Sequence, residues 1–175
     1  MDKYNSQIFE NNNIDFGIVY RNYTSKKRGF ELIKIAKACK RTKKQLFVSN
    51  DIKLVIKVKA DGLYIPAFNN SKKFSNLEKK NIKIIGSAHD QKEIQEKISQ
   101  KCKAIFLSPI FYVKKATNFL GLHKFNYLTL NNKISFFALG GISNKNIKKL
   151  KLLNSKGYGG IGMFKKKPAS KRPVL

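Results

Sequence analysis

The sequence predicts an α/β fold of the (β/α)8 barrel type. Strand-like and helix-like segments alternate along the 175-residue chain, as in a parallel sheet with crossover helices. Most strand-like segments are uninterrupted apolar runs, which is expected when helices cover one face of the sheet and a barrel interior covers the other. Two late segments also carry glycine pairs, Gly140-Gly141 and Gly159-Gly160, where strands are expected to meet loops.

These glycine pairs have no evident packing use at such positions. A glycine there lets backbone N–H groups approach a ligand closely. A barrel of this type builds a phosphate-binding cup from the loops after its strands seven and eight. The pairs therefore indicate a phosphate site, and the alternative is that they only ease tight turns.

Seven strands are predicted, one fewer than a closed barrel of this type contains. They lie at 16–21, 45–49, 62–66, 82–88, 103–108, 134–139 and 160–164. The first strand and the last helix of a complete barrel look short or missing. An incomplete barrel exposes strand edges, so we expect marginal stability or a homo-oligomer.

Apolar residues at helical spacing predict helices between the strands. The predicted helices lie at 29–44, at 90–102 with Asp90 as cap, and at 144–156 with Asn144 as cap. Segment 52–58 is ambiguous, because its alternating apolar residues before Asp61-Gly62 also fit a β-hairpin. The repeating strand–helix rhythm favours a short helix there.

The chain is expected to have three parts. Residues 1–15 read as a polar N-terminal extension, 16–164 as the barrel domain and 165–175 as a basic tail. No apolar run approaches the ~20 residues of a membrane span, and the N-terminus lacks the pattern of a secretory signal. Cys39 and Cys102 show no CxxC spacing, which fits reduced thiols in a cytoplasmic protein.

The formal net charge of +27 raises the question of nucleic-acid binding. Only four of the 37 basic residues are arginine, the residue whose bidentate fork suits specific recognition. Lysine, asparagine and isoleucine share A/T-rich codons, which indicates compositional bias on solvated faces. No helix-turn-helix, zinc or aromatic-platform motif accompanies the charge, so we expect neither a specific nucleic-acid partner nor a membrane partner.

The order and spacing of several short motifs resemble the thiamine phosphate synthase family, which includes the TenI-like thiazole tautomerases. The motifs run from about Phe16 to Phe164, and none is decisive alone. They are Tyr20-Arg21, Ser49-Asn50-Asp51, Ala60-Asp61-Gly62, Ile84-Ile85-Gly86, Ser108-Pro109-Ile110-Phe111, Gly121-Leu122, Ala138–Ile142 and Gly157–Gly162.

The resemblance implies a (β/α)8 barrel that joins a pyrimidine diphosphate to a thiazole phosphate and releases diphosphate. It implies that Arg21 binds the diphosphate, that Asn50 contacts phosphate, and that Asp51 is a Mg²⁺ ligand; these three are the expected catalytic residues. Gly140, Gly141 and Gly160 correspond to the backbone cup for the thiazole phosphate. Lys114 and Thr117 are further candidates for phosphate contacts. Without the resemblance, Arg21 reads as a charge at a strand end and Asp51 as a helix cap.

The chain departs from the family pattern mainly at the diphosphate and metal end. Tyr64 stands where the family has a histidine. In the segment 67–70, where the second magnesium carboxylate is expected, the only possible side-chain ligands are amides. Mg²⁺ binding is therefore expected to be weak, since this ion rests on one or two carboxylates plus substrate phosphates.

Two functions remain open at this point. One is a working transferase of thiamine biosynthesis that uses phosphorylated small-molecule substrates. The other is a non-catalytic or tautomerase-like protein that binds thiazole phosphate. For a tautomerase, His89 at the end of the fourth strand is a better candidate acid or base than His123, although a structural or solvated role is the simpler interpretation of either histidine.

Overall fold

Seven parallel strands form the centre of the molecule. The computed structural model describes residues 1, 3–10, 16–114, 116, 118–130 and 132–160. The strands, with their bounds, are β1 Ile18–Tyr20, β2 Leu46–Ser49, β3 Gly62–Ile65, β4 Lys83–Ala88, β5 Ala104–Leu107, β6 Ser135–Leu139 and β7 Gly157–Gly159. Each strand pairs in parallel with the next one along the chain, in the order β1-β2-β3-β4-β5-β6-β7.

The sheet curls but does not close. Residues of the first strand and the last strand line one interior cavity, yet within the described ranges β1 and β7 are not neighbours in the sheet. The predicted parallel α/β architecture with seven strands is confirmed, in the form of an incomplete barrel.

The free edge of β1 is occupied by the first residue of the sequence. The backbone nitrogen of Met1 donates to the Val19 oxygen at 2.6 Å, and the Arg21 N–H donates to the Met1 oxygen at 3.0 Å. A short helix, α1 (Ser6–Phe9), follows. Its Phe9 is buried against the core and stacks on Tyr4. The start of the chain, expected to be a polar extension, thus adds apolar side chains to the core.

Helices cover the outer face of the sheet. They are α2 (Arg28–Arg41), α3 (Ile52–Val58), α4 (Gln91–Ser99) and α5 (Gly121–Thr129), joined by 3-10 helices at Lys72–Lys80 and Ile147–Leu152. The helix predicted at 29–44 is confirmed as α2, whose Leu32, Ile35 and Cys39 are buried. The main core fills the space between these helices and the sheet, and a smaller cluster of Phe47, Tyr64 and Ile85 faces the barrel interior.

Capping residues fix where two of these helices begin. Asp90 accepts a hydrogen bond from the Glu93 N–H, so the cap predicted for the fourth helix is confirmed. The ambiguous segment 52–58 is a helix, and Asp51 caps it by accepting from the Leu54 N–H.

The prediction for 144–156 was wrong in helix type and in cap. The segment forms a 3-10 helix at Ile147–Leu152, and Asn146, not Asn144, stands at its start. The apolar residues Ile147, Leu150 and Leu153 recur every three positions, which matches the three residues per turn of a 3-10 helix better than an α-helix.

The last strand that the structure describes lies just before the predicted range 160–164. It spans Gly157–Gly159, and of the predicted range 160–164 only Gly160 belongs to the described residues, where it follows the strand. Side chains of neighbouring strands fill the space that these glycines leave open. A Cβ atom at Gly157 would lie 3.1 Å from the Phe137 ring.

Candidate functional site

Arg21 lies where β1 ends, at the edge to which all seven strands direct their carboxyl ends. It lines an interior cavity of about 1510 Å³, and Gly160, just after β7, lines the same cavity. Two predicted site residues that are far apart in the sequence thus face one cavity, which extends along the strands as far as Gln45 and Lys103. Asn50, Asp51, Lys114, Gly140 and Gly141 do not belong to the lining of this cavity.

Tyr64 and Arg21 line the same cavity. The tyrosine is 3 % exposed. Burial raises the pKa of Tyr64, while Ser87 and the positive charge of Arg21 oppose the rise and Tyr23 adds to it. Ser87 also accepts from the Ala67 N–H at 3.1 Å. The residue that departs from the family's histidine thus provides a neutral hydroxyl beside the predicted diphosphate arginine.

Asn50 has a strained backbone held by its neighbours. Its φ of 59° lies in the left-handed region, which asparagine tolerates better than most residues. Its backbone N–H donates to the backbone oxygen of Tyr64 at 2.9 Å. Its side-chain oxygen accepts from the amide of Asn69, which follows β3. Asn50 and Asn69 therefore connect the loops after two neighbouring strands.

Both carboxylate oxygens of Asp51 accept hydrogen bonds from the protein. Oδ1 accepts from the Leu54 N–H at 3.0 Å, and Oδ2 accepts from Arg28 Nη1 at 3.2 Å. The side chains of Arg28 and Asp51 are 19 % and 28 % exposed. Asp51 thus performs the capping role that was the alternative to metal binding, and it also forms an ion pair.

Arg28 is the residue of this site that sequence reasoning missed. Besides Asp51, its Nη2 donates to the Ser49 oxygen at 2.6 Å. Its guanidinium carbon lies 6.0 Å from the Tyr20 ring centroid and 5.6 Å from that of Tyr23. One signal was present in the sequence: an arginine that opens a helix opposes the helix dipole, which favours acids there.

Gly140 and Gly141 do have a packing use, contrary to the prediction. Both have positive φ, 91° and 71°, and a Cβ atom at Gly141 would lie 2.5 Å from the Phe111 oxygen. The backbone of the loop after β5 packs on them, and the Ile110 N–H donates to the Leu139 oxygen at 2.9 Å. At Gly160, by contrast, a Cβ atom would meet nothing within 4 Å.

The remaining candidate residues have few described contacts. Lys114 is exposed in the loop after β5, and Thr117 lies outside the described residues. His89 is half-exposed and precedes α4. Its Nδ1 lies 2.9 Å from Oε2 of Glu93, which belongs to the first turn of that helix. That position fits the structural role that was weighed for it.

The family model described as thiamine monophosphate synthase matches residues 16–164. The chain belongs to this family. The match covers the whole strand–helix array from Phe16 onward, including Arg21, Asn50 and the two glycine pairs.

Two similar curated proteins of this family are thiamine-phosphate synthases of Prochlorococcus marinus. The one from strain SARG is 32% identical over 124 residues, which are 69% of this chain and 36% of that protein. The one from subspecies pastoris is 33% identical over 124 residues, 69% of this chain and 35% of that protein. The match thus spans about a third of the length of these relatives.

Solved structures with the same fold include thiamine phosphate pyrophosphorylase from Pyrococcus furiosus. Its TM-score is 0.73 at 17% identity, and the match covers 87% of this chain and 76% of that chain. A structure titled "Native KDPGal structure" has a TM-score of 0.66 at 12% identity, over 88% and 73% of the two chains. These likenesses show the fold.

Membership in the thiamine monophosphate synthase family implies a magnesium site, and the residues present do not fit one. Both oxygens of Asp51 already accept hydrogen bonds, one of them from a guanidinium. In the segment 67–70, where a second carboxylate is expected, the amide of Asn69 donates to Asn50 and its oxygen accepts from the Ser71 N–H. In the described part of the chain, no three His, Cys, Asp or Glu side chains are grouped to share a metal ion.

No helix among the described residues is long and apolar enough to cross a membrane.

Proposed function

We propose that this chain acts in thiamine biosynthesis as a transferase that joins hydroxymethylpyrimidine diphosphate to a thiazole phosphate. Family membership and the curated relatives support the reaction class. The observation that carries the proposal is that Arg21 and Gly160, which follow β1 and β7, line one cavity with a guanidinium and an open backbone.

The chemistry asks mainly for stabilisation of a leaving group. The methylene carbon of the pyrimidine exchanges its bond to a diphosphate oxygen for a bond to the thiazole nitrogen, and the bonding electrons leave with diphosphate. Donors fixed around the departing oxygens lower that barrier because they need no reorganisation. Arg21 suits this role, since its planar fork can hold two phosphate oxygens.

Asn50 is assigned to the same diphosphate through its amide. The bond to Asn69 fixes the orientation of that amide, with the nitrogen of Asn50 left to donate to a phosphate oxygen. We assign Asp51 to holding Arg28 and capping α3. For the thiazole phosphate we propose the backbone at Gly140, Gly141 and Gly160, with the side chains of Lys114 and Thr117.

The test is a fluorescence assay for thiamine phosphate after oxidation to a thiochrome, using the purified full chain and both substrates. Arg21→Met is expected to lower kcat/KM about 100-fold, the size of effect seen when one donor to developing charge is removed. Arg41→Met, at the exposed end of α2, is the matched control and should leave the rate unchanged. No product from well-folded wild-type protein would refute transfer.

A second candidate is a protein that binds thiazole phosphate without transferring it. The ion pair between Arg28 and Asp51 favours this candidate, because it alters the diphosphate end while the late glycines remain. This candidate predicts that thiazole phosphate raises the melting temperature although no thiamine phosphate forms. A tautomerase-like activity would appear instead as conversion of the thiazole phosphate itself, followed by ultraviolet absorbance. If no thiazole phosphate raises the melting temperature, the binding candidate is excluded.

A further inference from the structure

We infer that Arg28 takes the place of a divalent cation on Asp51, so that anion binding by this chain needs no Mg²⁺. The inference deepens the proposed function and rests on it, because it concerns the charge balance at the end of β2, where the proposed function assigns a diphosphate contact to Asn50. It rests on the contacts of Asp51, Arg28 and Asn69.

The first step concerns the space around Asp51. A Mg²⁺ ion binds carboxylate oxygen at ~2.1 Å and demands near-octahedral geometry. Arg28 Nη1 lies 3.2 Å from Oδ2, so an ion on that oxygen would share the space beside a permanently charged guanidinium. Like charges at such separations repel strongly in a partly buried site. Oδ1 is turned to the Leu54 N–H and holds the start of α3.

The second step shows that Arg28 is built into this position. Its Nη2 donates to the oxygen of Ser49, a residue that is 0 % exposed. Its guanidinium lies beside the rings of Tyr20 and Tyr23, and the Tyr20 hydroxyl donates to the Arg28 backbone oxygen at 3.1 Å. The Nε atom is buried without a protein partner in the described structure. Moving the side chain aside would break these contacts.

The third step concerns the other expected ligand. Asn69 carries no charge, and its loop is held from behind by Lys97 and Gln100, which donate to its backbone oxygen at 2.8 and 2.7 Å. Rotating the amide of Asn69 towards Asp51 would break its bond to Asn50. The site therefore combines a fixed positive charge on Asp51 with a neutral amide at Asn69.

The experiment measures cation binding directly, with Mn²⁺ as the probe for Mg²⁺ and free Mn²⁺ followed by electron paramagnetic resonance. At about 1 mM Mn²⁺, a range in which weak carboxylate sites fill, we expect no stoichiometric binding to the wild-type chain. Its 37 basic against 10 acidic residues also keep adventitious cation binding low. Mn²⁺ bound to the wild type and lost in Asp51→Asn would overturn the inference.

Variants identify the role of Arg28. Arg28→Met should raise Mn²⁺ affinity at least about tenfold, because a unit charge close to the ion is removed. The double variant Arg28→Met/Asp51→Asn should lose that gain. If Arg28→Met folds and gains no Mn²⁺, Arg28 is not what excludes the ion. If Arg28→Met fails to fold, the Mn²⁺ titration of the wild-type chain still tests whether Asp51 binds the ion.

A second measurement separates this inference from the proposed function. Inorganic phosphate is titrated into the wild-type chain by calorimetry, once in EDTA and once in Mg²⁺. Equal affinities support the inference, and affinity that appears only with Mg²⁺ overturns it. Absence of phosphate binding under both conditions counts against the proposed function, while the Mn²⁺ titration continues to test the inference.

Discussion

The ammonium nitrogen of Lys97 lies 2.8 Å from the backbone oxygen of Asn69, and the lysine is completely buried. Its other acceptors are Gln100 Oε1 at 3.0 Å and the Ala67 oxygen at 3.4 Å. Burial lowers the pKa of Lys97, and Cys102, Glu96 and Glu93 oppose that shift. A lysine on the outer helix α4 therefore holds the loop that carries Asn69, and through it Asn50.

Lys97→Met is expected to destabilise the chain by about 1–3 kcal/mol, because buried carbonyl and amide oxygens lose their donor. Methionine has a volume similar to that of lysine, so the packing of this side chain against Gly86 is largely kept. Urea unfolding measures the change, with Lys92→Met on the exposed face of the same helix as control. An unchanged midpoint in Lys97→Met would show that Gln100 alone holds the loop.

Gly141→Ala tests the packing of the late glycines. Its φ of 71° and the Phe111 oxygen 2.5 Å from a Cβ position both oppose a side chain there. We expect a loss of about 2–4 kcal/mol, from backbone strain together with displacement of the loop after β5. The measurement is the free energy of unfolding.

Gly160→Ala is the matched control, because a Cβ atom there meets nothing within 4 Å. Stability should stay within about 0.5 kcal/mol of the wild type. Phosphate affinity, measured by calorimetry, should fall if the backbone at Gly160 contacts the ligand. Unchanged affinity would remove Gly160 from the proposed cup.

Tyr64→Phe tests whether the tyrosine positions Arg21. The change removes the hydroxyl, whose pKa is raised by burial and lowered by Ser87 and by the charge of Arg21, but keeps the ring that packs near Phe106. If the hydroxyl helps to position Arg21, phosphate affinity should fall about three- to tenfold, the net value of one ordinary hydrogen bond. Tyr127→Phe, at an exposed tyrosine of α5, is the control. Equal loss in both variants would contradict a specific role.

The sequence predicted six of the seven strands within one or two residues, because each is an apolar run that the sheet buries. β7 escaped prediction since Gly157 and Gly159 carry no side chains to signal a strand. That strand is defined by pairing with β6 and by the Phe137 and Phe106 rings that fill the space beside it.

The candidate site was predictable where one residue carries its own signal, such as Arg21 after β1. The partner of Asp51 was not predictable from periodicity. Arg28 reaches Asp51 and Ser49 only because the loop after β1 turns the start of α2 over β2. Such a contact depends on tertiary geometry across 23 residues of sequence.

The two buried cysteines predict a loss of stability in alkaline solution. Burial raises the pKa of Cys39 to about 12, with the charge of Asp61 adding to the rise and Lys44 opposing it. Burial likewise raises the pKa of Cys102 to about 12, against the effect of Lys97. Unfolded thiols ionise near pH 9.0. The stability linked to both thiols is therefore fully present below pH 9 and is lost as the pH rises towards 12.

The free energy of unfolding should fall by about 1 kcal/mol per thiol between pH 9 and 10, since one pKa unit corresponds to about 1.4 kcal/mol. Urea unfolding at these two pH values should show a drop about 2 kcal/mol larger for the wild type than for Cys39→Ala/Cys102→Ala. Lys97 acts in the opposite direction: its pKa is lowered, so the cost of burying its charge is relieved as the pH rises towards 10.5. Because Cys102 itself acts on the pKa of Lys97, the comparison is repeated with Cys39→Ala, which leaves that pair unchanged and should show a difference of about 1 kcal/mol for one thiol. Equal slopes would mean that the thiols ionise in the folded chain as readily as in the unfolded one.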